Sequence, residues 1–338
     1  MNKKVIFYLI ILFLFLFISQ KYLNPYYLRI VNIMGINMIL ALTLALTNGF
    51  LGVFSLGHAA FMAIGAYVCS ILTLPVAKKV IMLKGLPSWL VNLELPFISG
   101  LLIGGTIAMV FAFLIGVIVL RLKGHYLALS TLGFMVIVSG VLINARTLTK
   151  GARGLNNIPP YTNTMGIYIS LMIVLYIMYR LINSHFGRAM KAIREDETAA
   201  QSFGINPFYY KVLAFCIGAF GAAFAGGLWA HLITAITPMF FTYTTTFSIV
   251  SMIIIGGSGS ISGCMIGAAL ITIFPEMLRV VEKGSVIFGY SIPPLYGISQ
   301  IILSLLIILI LVYRPGGIMG YNEIVLPDPL KIFKLTKK

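Results

Sequence analysis

The four histidines, His58, His125, His185 and His231, stand on four different segments of the chain. No two lie four apart on one helix face and no H-E-x-x-H occurs, so they do not read as a metal site. The three cysteines, Cys69, Cys216 and Cys264, are few, odd in number and far apart. That argues against a disulfide framework or a zinc site, and they read as small buried hydrophobes. No G-x-S-x-G marks a nucleophile and no G-x-x-x-x-G-K-[ST] cradles a phosphate. The glycines of GGSGSISG (256–263) are followed by Cys264 rather than a lysine, and read as a tight turn between close-packed helices. Any ATP chemistry must therefore lie on another chain. Among the acids, only Glu276 falls inside a predicted apolar span, near its outer end beside Pro275, where it reads as an interfacial residue. A chain without carboxylates deep in its spans lacks the coupling groups of a proton-driven transporter. What remains is a passive channel or a machine driven by a partner. Polar residues at or near membrane depth include Asn37, Asn48, Ser55, His58, Ser130, Thr131 and Gln300. Of these Asn48, Ser55, His58, Ser130 and Thr131 are candidates to line a pathway, against the commoner role of bonding between helices.

Charge is concentrated in residues 184–211, SHFGRAMKAIREDETAAQSFGINPFYYK, which hold Arg188, Lys191, Arg194, Glu195, Asp196, Glu197 and Lys211. Phe186, Met190 and Ile193 follow helical spacing and form an apolar stripe, with the charges elsewhere. Gly204 is a natural stop and Pro207 prevents simple continuation, so the spacing predicts one amphipathic helix over 186–203. An amphipathic helix can rest on lipid headgroups, but three consecutive acids are repelled by anionic lipid. Docking to a soluble partner fits them better.

The 338 residues are 60% hydrophobic and 9% charged, with mean hydropathy +1.03. A soluble domain carries about a quarter charged residues, so the bilayer must be the solvent for most of this chain. The net charge of +16 reads as basic residues flanking spans and meeting anionic lipid. No basic stripe interleaved with aromatics suggests nucleic acid. The expected fold is an all-α polytopic membrane protein of about ten spans, eight to ten, near residues 5–18, 30–47, 49–74, 97–120, 125–144, 166–182, 212–236, 241–255, 264–279 and 298–313. The Asn48-Gly49 pair reads as a turn. Gly52, Ser55, Gly57 and His58 read as a possible break in the third span. Pro275-Glu276 interrupts the ninth. Basic residues place both termini inside, in the cytoplasm, with 184–211 and the tail deciding the bias. Residues 1–320 form one transmembrane domain and 321–338 a cytoplasmic basic tail.

ETAAQSFGINPFYYK (197–211) resembles the cytoplasmic coupling loop of bacterial and archaeal ATP-binding-cassette importer permeases. Ala199, Ala200 and Gly204 occupy the positions of its two alanines and glycine. The acid that usually precedes the alanines is replaced by Thr198, with Glu197 one position earlier. GRAMKAIREDETAAQSFGIN is similar to the loop of branched-chain amino acid permeases of the LivM type. So, in order, are GFLGVFSLGHAAFMAIGAY, HYLALSTLGF, LTKGARGLNNIP, IIIGGSGSISGCMIGA and YRPGGIMG, which cover about residues 30–320.

That resemblance implies a transmembrane subunit of an importer of leucine, isoleucine and valine in the cytoplasmic membrane of a bacterium or archaeon. It would pair with a second, LivH-type permease. Two ATPase subunits of the LivG and LivF types would dock below, and an extracytoplasmic binding protein would deliver substrate. ATP and Mg would be used by the ATPases, with no cofactor and no catalytic residue on this chain. Gly187, Arg188, Ile193, Arg194, Glu195, Asp196, Glu197, Ala199, Ala200 and Gly204 would form the ATPase-coupling element, with the acids and Arg194 meeting a groove on the ATPase. Urea and short-chain amide permeases have similar sequences, so those substrates stay open, as does a stand-alone channel or secondary transporter.

Overall fold

A computed structural model describes residues 20, 22–83, 85–282, 286–287, 290–291, 297–314 and 316–323. The expected first span at 5–18, most of the 285–296 connection and the tail beyond 323 lie outside the described residues. The rest is helical, apart from a hairpin of two-residue strands, Val286–Ile287 and Tyr290–Ser291.

Helix α1 (Pro25–Ala45) opens with Asn24, whose side chain accepts from the Tyr26 amide at 3.2 Å, and with Pro25 in the first turn. It continues as a π-helical turn, Leu46–Phe50. Asn48 and Gly49 therefore belong to the helix, and the chain turns after them, across residues 51–57. Helix α2 (His58–Thr73) stops before Pro75, and α3 (Val76–Met82) leaves it at 116°. Proline forces the residue before it into extended backbone, which explains the bend. Helices α4 (Phe97–Val119), α5 (His125–Asn144) and α6 (Thr164–Ile182) follow. Then come the short α7 (His185–Glu195) and α8 (Glu197–Ser202), and the long α9 (Pro207–Ile233). Helices α10 (Tyr243–Gly256), α11 (Ile261–Glu282) and α12 (Ile298–Tyr313) complete the order. Helix α11 runs through Pro275 rather than breaking there. Neighbouring helices in a membrane can re-satisfy the backbone group that a proline frees.

Seven helices among the described residues are long and apolar enough to cross a membrane, and the bent α2–α3 pair makes an eighth. Helix α12 is apolar but only 16 residues long. The chain is thus a multi-pass membrane protein. Helix α5 turns Tyr126, Leu129, Val136, Ile137 and Val141 outward. Lipid, unlike water, tolerates such a face.

The centre is built on close approach. Helix α9 lies along α2 and α4. A Cβ on Gly65 would stand 2.0 Å from the Ala223 carbonyl oxygen, and one on Gly226 would stand 2.0 Å from that of Met62. Apolar surface gives little drive for helices to associate in lipid, so small residues that let backbones touch supply the packing.

The bundle has two polar ends. At one, Lys78 Nζ donates to the Asn157 carbonyl at 3.1 Å, and Leu155 bridges Ile236. Here Tyr26 donates to Glu276, which pairs with Arg279 at 3.4 Å. Glu276 is thus an end residue with partners. The other end gathers the π-helical turn, α7, α8, the 256–263 turn and residues 316–323. Replacing Gly226 with leucine should destabilise the detergent-purified protein by about 3 kcal/mol, read as a lowered unfolding temperature. Gly140→Ala, where nothing lies within 4 Å of the added carbon, should leave it unchanged.

Candidate functional site

Two features meet at the second end: the charged α7–α8 segment and the break before α2. Helix α7 buries Met190 and Ile193 and packs Phe186 against Tyr210, ring centres 5.3 Å apart. Gly187 is buried against the backbone of Ile182. Arg188 is exposed and reaches His185 Nδ1 at 2.8 Å.

The single helix expected over 186–203 is two helices, because Asp196 is extended (φ −156°, ψ 113°). Its carboxylate accepts from the amides of Thr198 and Ala199, at 2.8 and 3.0 Å. Aspartate competes with helical backbone in this way, ending α7 and capping α8. Helix α8 buries Ala200 and leaves Thr198, Ala199, Gln201, Ser202 and Gly204 exposed. Phe203 is 86% exposed. Gly204 ends the segment at φ +79°.

The three consecutive acids have three different jobs. Asp196 is the cap. Glu197 pairs with Lys211 of α9 at 2.8 Å, the lysine side chain only 9% exposed. That ties α8 to the bundle. Glu195, 74% exposed, faces out while holding Arg194 at 2.7 Å. Arg194 itself faces in: Nη1 donates to the Gly49 carbonyl at 3.3 Å and its guanidinium covers the Tyr321 ring, 4.8 Å from its centre.

Tyr321 belongs to a segment that the sequence left as tail. Ile318 N donates to Ile255 O and Met319 N to Gly256 O, at 2.8 and 3.0 Å. The Glu323 carboxylate accepts from the Ile261 and Ser262 amides, at 2.7 and 3.0 Å. A carboxylate there caps α11 and complements its dipole.

The break is held by side chains. Asn48 takes both polar backbone groups of Ser55: its Nδ2 donates to Ser55 O at 3.1 Å and its Oδ1 accepts from Ser55 N at 3.0 Å. Thr131 of α5 accepts from Leu56 N at 2.9 Å. His58 Nε2 and Thr43 Oγ1 of α1 are 3.0 Å apart. Ser55, His58 and Thr131 are buried, and Asn48 is half-buried. Four of the five candidate pathway residues thus converge on one unwound segment. Ser130 is half-buried on α5, outside those bonds.

A cleft of about 600 Å³ lies where the two features face each other. Residues 51–54, the 122–128 turn and the 193–197 corner line it, with Lys211. Sequence reasoning named most of the α7–α8 residues but missed Phe203 as a surface group, Tyr321, and the Gly49 carbonyl. An exposed phenylalanine beside the Ala199-Ala200 pair was the available signal for the first. Nothing local marks the other two. Among the described residues, no three His, Cys, Asp or Glu side chains cluster as a metal site requires. Thr131→Val should strand the Leu56 amide at a cost of about 1–3 kcal/mol, read by thermal unfolding in detergent. Thr131→Ser, which keeps the acceptor, should recover most of it.

Comparison with known proteins bears on this arrangement. The family model described as branched-chain amino acid transport system / permease component matches residues 26–312. The chain is 30% identical over 318 residues to the high-affinity branched-chain amino acid transport system permease protein LivM of Escherichia coli, covering 84% of this chain and 68% of that protein. It is 26% identical over 242 residues to the probable branched-chain amino acid transport permease protein LivM of Methanocaldococcus jannaschii, covering 67% and 69%. Against the Escherichia coli permease protein LivH it is 31% identical over 158 residues, covering 46% and 44%. No solved structure matches significantly.

Proposed function

The chain belongs to the family of branched-chain amino acid transport permease components, and we propose that it is the membrane-spanning permease subunit of an ATP-driven importer of leucine, isoleucine and valine. In this reading the end bearing α7 and α8 faces the cytoplasm of a bacterium or archaeon. Both termini lie on that side, with ten crossings that include the segment at 5–18. A second permease of the LivH type pairs with it in the cell membrane. Two ATPase subunits bind from the cytoplasm, and an extracytoplasmic protein delivers substrate to the opposite end.

One observation carries the reading: the outward face of α7–α8. It offers Glu195 and Asp196 together with Ala199 and a Phe203 that is 86% exposed. A large aromatic held in water beside uncrowded small residues is the pattern of an anchor for a partner's pocket. The neighbouring carboxylates select a partner with a basic rim. The segment is rigid enough to transmit force, because the Asp196 cap holds the α7–α8 corner and the Glu197–Lys211 pair fixes it to α9. The ATPases supply the chemistry. Their closure on ATP pushes α7–α8, and the permease pair switches from an inward-facing to an outward-facing pathway.

The test is reconstitution in liposomes of the assembled complex and of this chain alone. The complex should take up leucine with ATP inside and binding protein outside, and the chain alone should take up none. Uptake by the chain alone would sink the importer reading in favour of a channel. Binding measured on the accompanying extracytoplasmic protein should show leucine, isoleucine or valine rather than urea or an amide. Phe203→Ala should weaken retention of the ATPase subunits by about 2 kcal/mol, read by titrating purified ATPase onto the permease pair. Its insertion and thermal stability should stay unchanged.

A further inference from the structure

We propose that Arg194 is a positioning residue that carries movement of α7–α8 into the unwound segment 51–57, rather than a contact for the ATPase. The inference rests on the importer reading but concerns how force leaves the docking helices. The Arg194 side chain is only 20% exposed, against 74% for its neighbour Glu195. Each of its three nitrogens has a partner inside the protein or on that neighbour: Nη1 donates to the Gly49 carbonyl, and Nε and Nη2 donate to Glu195 Oε1 at 3.2 and 2.7 Å. Its flat face lies over Tyr321. A guanidinium donates in several fixed directions at once, so it can join three segments that a lysine could join only as a point charge.

The stem matters as much as the head. A Cβ at Gly52 would fall 2.5 Å from Arg194 Cγ, and Gly52 sits at φ +75°. Glycine is therefore required at Gly52 both by backbone conformation and by contact with the arginine. Arg194 thus grips the chain where α1 ends and where the unwound segment begins.

From that grip the bonds run onward without a gap. Asn48 ties the start of the segment to Ser55, Leu56 hangs on Thr131 of α5, and His58 meets Thr43 of α1. Displacing α7 must therefore either move residues 51–57 and the head of α5 or break these bonds inside the protein. Tyr321 is anchored through residues 318–323 to α10 and α11, so the arginine moves relative to a fixed stop. A discrete element tied at both ends in this way can have two arrangements and pass a bias between sites.

The experiment uses the full complex with its binding protein in proteoliposomes, measuring uptake and ATP hydrolysis together. In Arg194→Ala, uptake per ATP hydrolysed should fall roughly tenfold, while the ATPases stay bound and hydrolysis changes by less than about twofold. Arg194→Lys, which keeps the stem and the charge, should restore part of the coupling. Tyr321→Ala leaves the docking helices intact, so it serves if Arg194→Ala does not fold, and it should also lower uptake per ATP severalfold. A reporter separates transmission from simple support. The three native cysteines are buried and Phe54 is 45% exposed. Thiol labelling at Phe54→Cys should change on adding ATP in the otherwise native complex and should stop responding in Arg194→Ala. Several results would overturn the proposal: normal coupling in Arg194→Ala or Tyr321→Ala, loss of the ATPases from the Arg194→Ala complex, or an ATP response at Phe54→Cys that survives without the arginine. Failure of the native complex to import overturns the importer reading itself and this role with it.

Discussion

Lipid cannot hydrogen-bond a peptide group, and the architecture follows from that constraint. A helix meets it alone, with every bond internal to the segment. The stretch 51–57 does not, since it leaves α1 through a π-helical turn and runs without regular structure until α2 begins. Some of its backbone groups find partners on neighbouring backbone, as Val53 N does on Thr47 O at 2.9 Å, and others are met by side chains brought to it. Asn48 and Thr131 do this, and Thr43 positions His58 at the head of α2. Unwinding is tolerated at membrane depth only where protein or a cavity surrounds it. That explains why the break lies between α1, α5 and α7, and why it borders the cleft.

The same solvent sets how the helices hold together. Apolar side chains gain little by leaving lipid for one another, so close backbone contact replaces the water-driven core of a soluble domain. Gly65 and Gly226 let α2 and α9 touch main chain to main chain. Charge is confined to the ends, and where a lysine is buried it has partners. Lys79 is fully buried, with its ammonium on the carbonyls of Leu90 and Leu93. Lys211 is paired with Glu197. Breaking such a pair strands a charge, which costs far more than the pair contributes.

At the charged end, these constraints divide neighbouring residues between outward and inward work. Glu195, Ala199 and Phe203 face away from the bundle, while Arg194, Glu197 and Ala200 face into it. Asp196 marks the corner between the two helices, its carboxylate capping α8. One surface is thus exposed and the other is spent on contacts within the bundle.

Much of the fold was legible in the sequence because each span needs only its own residues to satisfy its backbone. Long apolar runs therefore announced themselves, with α5 expected and found at 125–144. The charged module at 184–211 was equally plain, since nothing else in the chain resembles it. Local chemistry misled where two local signals competed. Asp196 lies inside the helix expected over 186–203, yet its carboxylate takes the next amides for itself. Pro275 reads as a breaker, yet α11 runs through it. What the sequence by itself determined was a membrane protein, the positions of most of the apolar helices among the described residues, and one charged segment between them. Only the tertiary structure decided that Asn48, Ser55, His58 and Thr131 serve one break, and that Arg194 turns inward to Gly49 and Tyr321. Those contacts join residues 7 to 145 positions apart. No periodicity records such pairs, because they exist only after separate helices have been packed side by side.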